Sequence, residues 1–457
     1  MDDLVYIYAI AAMIVATFIL QVMRKTFDPF APIWLFFVGY AHVYVIQALS
    51  YHEWGIRTRG AELVAAASFR SFWAISLFML VYFLAPCRVM AKCVPRPPKA
   101  WSISLMGLLC PVLMVWGLYC AYTVSRLTSG ETDMSAESNL ILSFPLFLLV
   151  SGILLVVSGR LPEKPQPMLV MAGVAIITLY MLLWMFNGKR SHSLIAVLTG
   201  VCVFYISKLK RPSFPILIAT AILGASSVGA AISWRYYMQK SESKVSFSTF
   251  LSFLSDFDPG TVLESLNIKE HAFATEDVTY ETEEFGAYLL MMDTVPMKSD
   301  YDYGLPYLRV FTTFIPRVVW PSKPLPGRDQ WTEAWIAGSE QKRDMTFTGP
   351  AISILGATQL NGGAMGTFIV IGVVAFVLRA GYEYFRMHAD VPWVQVWWAL
   401  TYYNAWFCTV NDDPLNWFYY NWGFTTMPML VALWVANKFS GAPANTAAPA
   451  PSAVAAY

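Results

Sequence analysis

A short polar segment, Asn187-Gly-Lys-Arg-Ser-His192, separates two strongly apolar stretches and brings together groups that could do chemistry. The planar guanidinium of Arg190 suits two phosphate oxygens at once, and Lys189 adds a point charge. Both cations favour the neutral form of His192, which is therefore a candidate general base. The alternative is structural: the cations anchor to anionic lipid or snorkel, and the histidine forms an interfacial hydrogen bond.

A second group of candidates lies in the polar stretch from Arg235 to Asn361, which holds nearly half of the charged residues of the chain. Aromatic side chains alternate there with cations, and prolines between Pro306 and Pro324 interrupt regular helix. Aromatic faces commonly line sugar sites, and cations orient phosphate. The pattern therefore predicts a site for a phosphorylated sugar, with an interfacial anchor of Trp, Tyr and Arg as the alternative.

These regions supply candidates for a group transfer. A glycosyl transfer needs a base for the acceptor hydroxyl and cations for a leaving pyrophosphate. The base candidates are His192, Glu283, Asp300 and Asp302. The phosphate-binding candidates are Lys189, Arg190, Arg235, Arg309, Arg317, Lys323 and Arg328. The sugar-contact candidates are Tyr303, Tyr307, Trp320 and Asp412. The alternatives are solvated charges for the carboxylates and, for Asp412 in Asn-Asp-Asp-Pro, an ordinary turn.

Membrane helices must position these residues. Of 457 residues, 57% are apolar and 13% are charged, against about 45–50% and about 25% in soluble domains. This balance excludes a soluble globular enzyme, a disordered chain and a nucleic-acid binder. Eleven stretches approach the roughly 20 apolar residues that a lipid-crossing helix needs: Leu4–Val22, Phe30–Leu49, Leu63–Ala85, Trp101–Val124, Leu140–Ser158, Met168–Phe186, Ser193–Ser207, Ser213–Trp234, Gly362–Leu378, Pro392–Val410 and Pro414–Ala436. The predicted fold class is an all-α polytopic membrane protein.

The distribution of Lys and Arg predicts the orientation of these spans. With the N-terminus outside, most cations of the short connections lie inside, so the C-terminus is inside too. The predicted organisation is spans 1–8 over residues 1–234, a large helical outer loop over 235–361, spans 9–11 over 362–438 and a disordered tail over 439–457. Ser246–Leu254 and Val262–Leu266 are expected to be short helices on the membrane surface.

Metal and cofactor chemistry find little support in the sequence. The six cysteines lack the spacing of a zinc site, and the nucleotide-binding and HExxH patterns do not occur. We therefore expect neither a metal nor a cofactor.

Arg70 is the single charge inside a predicted span, and we expect it to snorkel to the outer interface. A proton- or sodium-coupled transporter needs midplane carboxylates or broken helices, and the predicted spans contain no midplane carboxylate, so the sequence favours chemistry at the outer membrane face.

Three segments resemble the O-antigen or oligosaccharide repeat-unit polymerase family of bacterial inner membranes. They are Asn187-Gly-Lys-Arg-Ser191, the proline-rich run from Gly304 to Pro324, and the Gly-rich segment Leu355–Gly366 that leads into a late span. The arrangement of many spans with one large late outer loop matches along most of the chain. This family is similar in turn to the polytopic GT-C-like lipid-sugar transferases.

The resemblance implies transfer of a growing chain from undecaprenyl pyrophosphate onto an incoming lipid-linked unit at the periplasmic face, for O-antigen, capsule or exopolysaccharide. It ranks Arg190 and Arg317 first as pyrophosphate ligands, and it implies a flippase and a chain-length-determinant protein as partners. Two alternatives stay open, an O-antigen ligase and a translocator of lipid-linked oligosaccharide. The related ligases usually carry a histidine shortly before the Gly-rich segment, and Met345–Gln359 has none, which favours the polymerase.

Overall fold

A computed structural model describes residues 2–95, 101–128, 145–161, 165–240, 246–257, 284–307, 319–320 and 351–410, together with 427, 430, 431 and 434. Every regular element in these ranges is a helix, and none is a strand. Seven helices are long and apolar enough to cross a bilayer: Leu4–Met23, Pro32–Arg59, Ala61–Leu84, Leu105–Val124, Pro167–Phe186, Phe214–Arg235 and Ser353–Met387. The predicted all-helical membrane class is confirmed at this level.

The chain folds into two compact units. Unit 1 comprises Met1–Val94, His271–Tyr384 and Asn404–Tyr419. Its helices are α1 (Asp2–Met23), α2 (Pro32–Ala41), α3 (Ala48–Arg59), α4 (Ala61–Leu84) and α5 (Cys87–Cys93), then α12 (Glu284–Thr294), α13 (Ser353–Met387, which runs three residues into unit 2) and α15 (Asn404–Val410). A π-helical turn, His42–Gln47, joins α2 to α3, so the predicted span Phe30–Leu49 lies in a helical run that continues to Arg59.

Close backbone approach organises unit 1. A Cβ atom on Gly39 of α2 would lie 1.9 Å from the Thr409 hydroxyl oxygen of α15, so only glycine allows these two helices to touch. Helix α12 is buried almost all round, and its Ala287, Leu290 and Met291 pack with Leu360 of α13. The polar 235–361 stretch thus contributes a helix to the interior of this unit.

Helix α13 is two helices end to end. Gly362 has an extended φ, and Gly363 has φ 60° and ψ −132°, a conformation that favours glycine. The first half of the helix packs on α12, and the second half begins where the span Gly362–Leu378 was predicted to begin. Thr358 and Thr367 bridge the break through their hydroxyl oxygens, 2.8 Å apart.

Unit 2 comprises Pro95–Glu270, Phe385–Tyr403 and Tyr420–Tyr457. Its described helices are α6 (Ile103–Thr128), α7 (Leu146–Gly159), α8 (Pro167–Phe186), α9 (Arg190–Ile206), α10 (Phe214–Lys240), α11 (Phe247–Asp256) and α14 (Pro392–Thr401). Helices α7 and α9 are apolar but shorter than 18 residues. Successive helices from α7 to α10 pack side by side and alternate in direction.

Two predictions about elements have clear outcomes. The predicted span Pro392–Val410 is interrupted, because α14 ends at Thr401 and α15 begins at Asn404. The Thr401 hydroxyl donates to the Trp397 carbonyl oxygen at 2.8 Å, a side-chain bond that competes with the helical ladder and bends helices. The predicted surface helix Ser246–Leu254 corresponds to α11, whereas Val262–Leu266 and most of Pro414–Ala436 lie outside the described residues.

Candidate functional site

The turn between α8 and α9 is built by its own backbone. The amide of Asn187 caps α8, with its side-chain nitrogen donating to the Leu183 carbonyl oxygen at 2.7 Å. The backbone N–H groups of Gly188 and Lys189 donate to the carbonyl oxygens of Met185 and Trp184, both at 2.9 Å. Gly188 has φ 66°, the left-handed conformation that ends many helices. These bonds fix where Lys189 and Arg190 leave the helix end.

Arg235 of α10 lies against this turn. A Cβ atom on Gly188 would be 3.3 Å from the Arg235 Cβ and 3.2 Å from the Met238 Cε. Arg235 and Lys189 are exposed, and Arg190 is half-buried at the first residue of α9. The structure therefore gathers three predicted phosphate-binding cations around one glycine turn, although Arg235 is distant in sequence from the other two.

His192 lies in the polar first turn of α9, ahead of its apolar stretch. Its imidazole stacks on the Trp184 ring with centroids 4.3 Å apart, and its Nδ1 is 3.2 Å from the Ser191 hydroxyl oxygen. Desolvation, reinforced by Lys189, lowers the pKa of His192 from 6.5 to about 4. The imidazole is therefore neutral at pH 7, mainly because of its burial and to a smaller extent because of Lys189. A group with this pKa is a weak proton acceptor, because a general base works best near the operating pH.

An aromatic cluster supports the turn. Trp234, the residue before Arg235, is fully buried, and its indole N–H donates to the Phe186 carbonyl oxygen at 2.8 Å. Phe250 of α11 packs edge-on against both rings, with centroids 5.0 Å from Trp234 and 5.6 Å from Phe186. Helix α11 thus lies across the ends of α8 and α10, beside the three cations. Its opposite side exposes Leu251, as expected of a helix at a membrane surface.

Unit 1 holds the remaining described candidates. Asp302 is buried, and its N–H donates to the Leu360 carbonyl oxygen at 2.9 Å, which places it beside the break in α13. Asp300 and Tyr303 are exposed, and Tyr307 is half-buried. Trp320 is 36% exposed. The other candidates lie outside the described residues: Glu283, Arg309, Arg317, Lys323, Arg328 and Asp412.

A polar network beside Asp302 escaped the sequence-based prediction. Arg70 of α4 is half-buried and donates to the side-chain oxygen of Gln359, whose amide nitrogen donates to the Val295 carbonyl oxygen. Arg70 therefore has an acceptor within the protein, and its snorkelling to the outer interface stays a prediction. The polar residues on either side of this bond are visible in the sequence, but only the packing of α13 against α12 and α4 joins them.

A second buried link ties α12 to the π-helical turn. Glu284 accepts a hydrogen bond from the side-chain nitrogen of Gln47, and the Gln47 oxygen accepts from the Phe285 N–H at 3.1 Å. At the other end of α12, Asp293 pairs with Arg59 at 2.9 Å and with Lys298 at 3.8 Å. The charges of this helix are thus used to hold it in place.

Within the described ranges, no three His, Cys, Asp or Glu side chains lie close enough together to hold a metal ion. Searches against protein-family models, curated proteins and solved structures return no match to this chain. The class that the fold and the site define is an all-helical, membrane-embedded protein with a cationic, histidine-bearing turn at one end of three apolar helices.

Proposed function

We propose that the protein is a bacterial inner-membrane glycosyltransferase that polymerises oligosaccharide repeat units carried on undecaprenyl pyrophosphate. The observation that carries the proposal is the Gly188 turn, around which Lys189, Arg190 and Arg235 lie. The ligand that suits this place has an anionic head and a long apolar tail. Cations bind the pyrophosphate, and the bilayer around the helices accommodates the isoprenoid chain.

The transfer would proceed as follows. A hydroxyl oxygen of the incoming unit bonds to the anomeric carbon of the growing chain, and the bond from that carbon to the pyrophosphate oxygen breaks. Undecaprenyl pyrophosphate leaves with the electron pair, and the hydroxyl proton passes to a base. The three cations would stabilise the negative charge that develops on the leaving oxygen.

The base that accepts the hydroxyl proton would be either His192 or a carboxylate. His192 lies next to the cations, but with a pKa of about 4 it suits accepting a hydrogen bond from a sugar hydroxyl better than holding a proton. Asp300, Asp302 and Glu283 remain the carboxylate candidates. Of the two that the structure describes, Asp302 is buried and Asp300 is exposed.

The finer topology belongs to the same proposal: eleven spans, the N-terminus outside, the C-terminus inside and the active face in the periplasm. Supporting it, the end of α8, the start of α9 and the cation of α10 fall at one end of an antiparallel set of helices. Arg160 and Lys208 lie at the opposite end, where the positive-inside rule places cytoplasmic cations.

A deletion strain tests the proposal. Loss of the protein should leave single repeat units on the surface lipid, seen as a semi-rough pattern on a gel. Complementation with Arg190→Ala/Arg235→Ala should give the same pattern at normal membrane levels, whereas Lys210→Ala, a cation at the other end of unit 2, should restore long chains. An unchanged ladder in the deletion refutes the proposal. Long polymer accumulating on undecaprenyl pyrophosphate would indicate a ligase, and units trapped in the cytoplasmic leaflet would indicate a translocator.

A further inference from the structure

Two adjoining cavities lie in unit 2, away from the Gly188 turn. The larger, about 340 Å³, is lined by side chains of α7, α8, α9 and α10 and is almost entirely apolar. Val174, Phe204 and Leu223 line it and are 45%, 38% and 52% exposed, so it is a groove open at the outer surface of the helices. The smaller, about 330 Å³, lies at the α7–α8 turn and includes Arg160 and Lys208.

Glycines allow α7 and α8, which form one wall of the groove, to pack closely. The backbones of α7 and α8 touch, because a Cβ atom on Gly152 would lie 2.9 Å from the Gly173 carbonyl oxygen. At the end of α7, a Cβ on Gly159 would lie 2.7 Å from the Gln166 carbonyl oxygen. The backbone N–H of Gln166 in turn donates to the Gly159 carbonyl oxygen at 2.8 Å. Helices α7 and α8, whose side chains line one side of the groove, are thus held together at two points.

Arg160 joins the two cavities. Its guanidinium carbon lies 3.8 Å above the centre of the Phe204 ring, and Phe204 lines the apolar groove. Its Nε is buried and has no hydrogen-bond partner among the described residues. Arg160 is half-buried, and this burial lowers the pKa of its guanidinium. The described residues that line the two cavities include no carboxylate to compensate it.

A desolvated, incompletely bonded guanidinium with a lysine beside it and an apolar groove behind it calls for one kind of occupant. Phosphate oxygens would satisfy the buried N–H, and a hydrocarbon chain would fill the groove. The Gly188 turn is at the other end of α9, about 24 Å away at 1.5 Å per residue. An occupant whose head binds Arg160 therefore belongs to the opposite leaflet from the proposed reaction.

We propose that this groove binds an anionic glycerophospholipid, with the phosphate on Arg160 and Lys208 and one acyl chain along α8 and α9. The site is independent of the glycosyl transfer, and its lipid is a bound component of the fold rather than a substrate. A neutral lipid cannot compensate the Arg160 charge, and a zwitterionic headgroup does so less well because its own ammonium competes.

Binding is measured on the purified full-length chain by native mass spectrometry and by the lipid-induced shift in unfolding temperature. The probes are phosphatidylglycerol, phosphatidylcholine with the same acyl chains, and undecaprenyl phosphate. Phosphatidylglycerol should bind tightest. Arg160→Gln should weaken it about tenfold or more, as expected for the loss of a charge-assisted hydrogen bond. Lys210→Gln, a nearby exposed cation that does not line either cavity, should leave binding unchanged.

A second pair of variants tests the groove without touching the cation. Gly200 of α9 lines the groove, and a Cβ there would lie an ordinary 3.5 Å from Ile177. Gly200→Ala should fold and bind lipid normally, while Gly200→Leu should fill the groove and abolish the phosphatidylglycerol shift. Equal binding of phosphatidylcholine, tighter binding of undecaprenyl phosphate, or full binding by Gly200→Leu would each overturn the proposal.

Discussion

Replacing Gly188 by alanine is expected to lower the free energy of unfolding modestly and the rate of chain extension strongly. Gly188 has φ 66°, and an L-residue in the left-handed conformation costs about 1–2 kcal/mol. The added Cβ would also lie 3.2 Å from the Met238 Cε and 3.3 Å from the Arg235 Cβ. The methionine tip can rotate away, but the arginine Cβ is fixed to the helix, so Arg235 or the turn must shift by a few tenths of an ångström.

Two measurements separate these effects. The free energy of unfolding, from denaturant titration in detergent, should fall by about 1–2 kcal/mol. The rate of chain extension should fall about tenfold or more, because displacing a positioning charge by a fraction of an ångström weakens its hold on the leaving group. Gly188→Asn provides a further test, since asparagine tolerates the left-handed conformation but carries the same Cβ. It should recover stability and leave the extension rate low.

Gly200→Ala is the matched control, a glycine substitution in the same unit with no positive φ. It should raise the stability by about 0.5–1 kcal/mol through helix propensity and leave the extension rate unchanged. The reasoning fails if Gly188→Ala unfolds and extends chains as the wild type does. It also fails if Gly188→Asn restores activity fully, because the Cβ contact with Arg235 would then be of no consequence.

Three further predictions concern separate parts of the fold. Gly39→Ala should cost about 3 kcal/mol of unfolding free energy, because its Cβ would lie 1.9 Å from the Thr409 oxygen, and Thr409→Ala in the same chain should recover part of it. Asp293→Asn, which breaks the part-exposed pair with Arg59, should cost at most about 1 kcal/mol, and the difference from wild type should vanish in high salt. His192 has a pKa of about 4 when folded and 6.5 when unfolded, so the unfolded chain binds more protons between these values. Unfolding free energy should therefore fall by about 2–3 kcal/mol as the pH drops from 6.5 to 4, and His192→Gln should flatten that slope. An unchanged slope in His192→Gln would show that other groups set it.

The sequence predicts the membrane class and the local elements of the turn well. Apolar runs of sufficient length and the helix-ending Asn187-Gly188 pair are local signals, so α8, the turn and the start of α9 follow directly from them. The contribution of Lys189 to the neutral state of His192 also follows from the sequence, whereas the larger contribution, burial, does not. These features depend on residues close together in the chain.

The rest depends on packing that local patterns do not encode. Nothing along the chain indicates that Arg235 reaches Gly188, because that contact requires α10 to pack on α8 through Trp234. Likewise the burial of α12 cannot be predicted from the charged stretch in which it lies. Its Glu284 bonds to Gln47 of the π-helical turn and its Asp293 pairs with Arg59 of α3, and both partners are more than 200 residues away in the sequence. The Arg70–Gln359 bond was missed for the same reason.

Chain extension by the purified protein tests the central claim most directly. The assay supplies undecaprenyl-pyrophosphate-linked repeat units in detergent or liposomes and follows both the polymer length and the undecaprenyl pyrophosphate released. The wild type should form a ladder and release one lipid for each new bond. Arg190→Ala and Arg235→Ala should each lower kcat/KM about tenfold, and the double variant more, because each removes a charge-assisted contact with the leaving group. A wild-type protein that neither lengthens chains nor releases the lipid, or a double variant as active as wild type, would contradict the account.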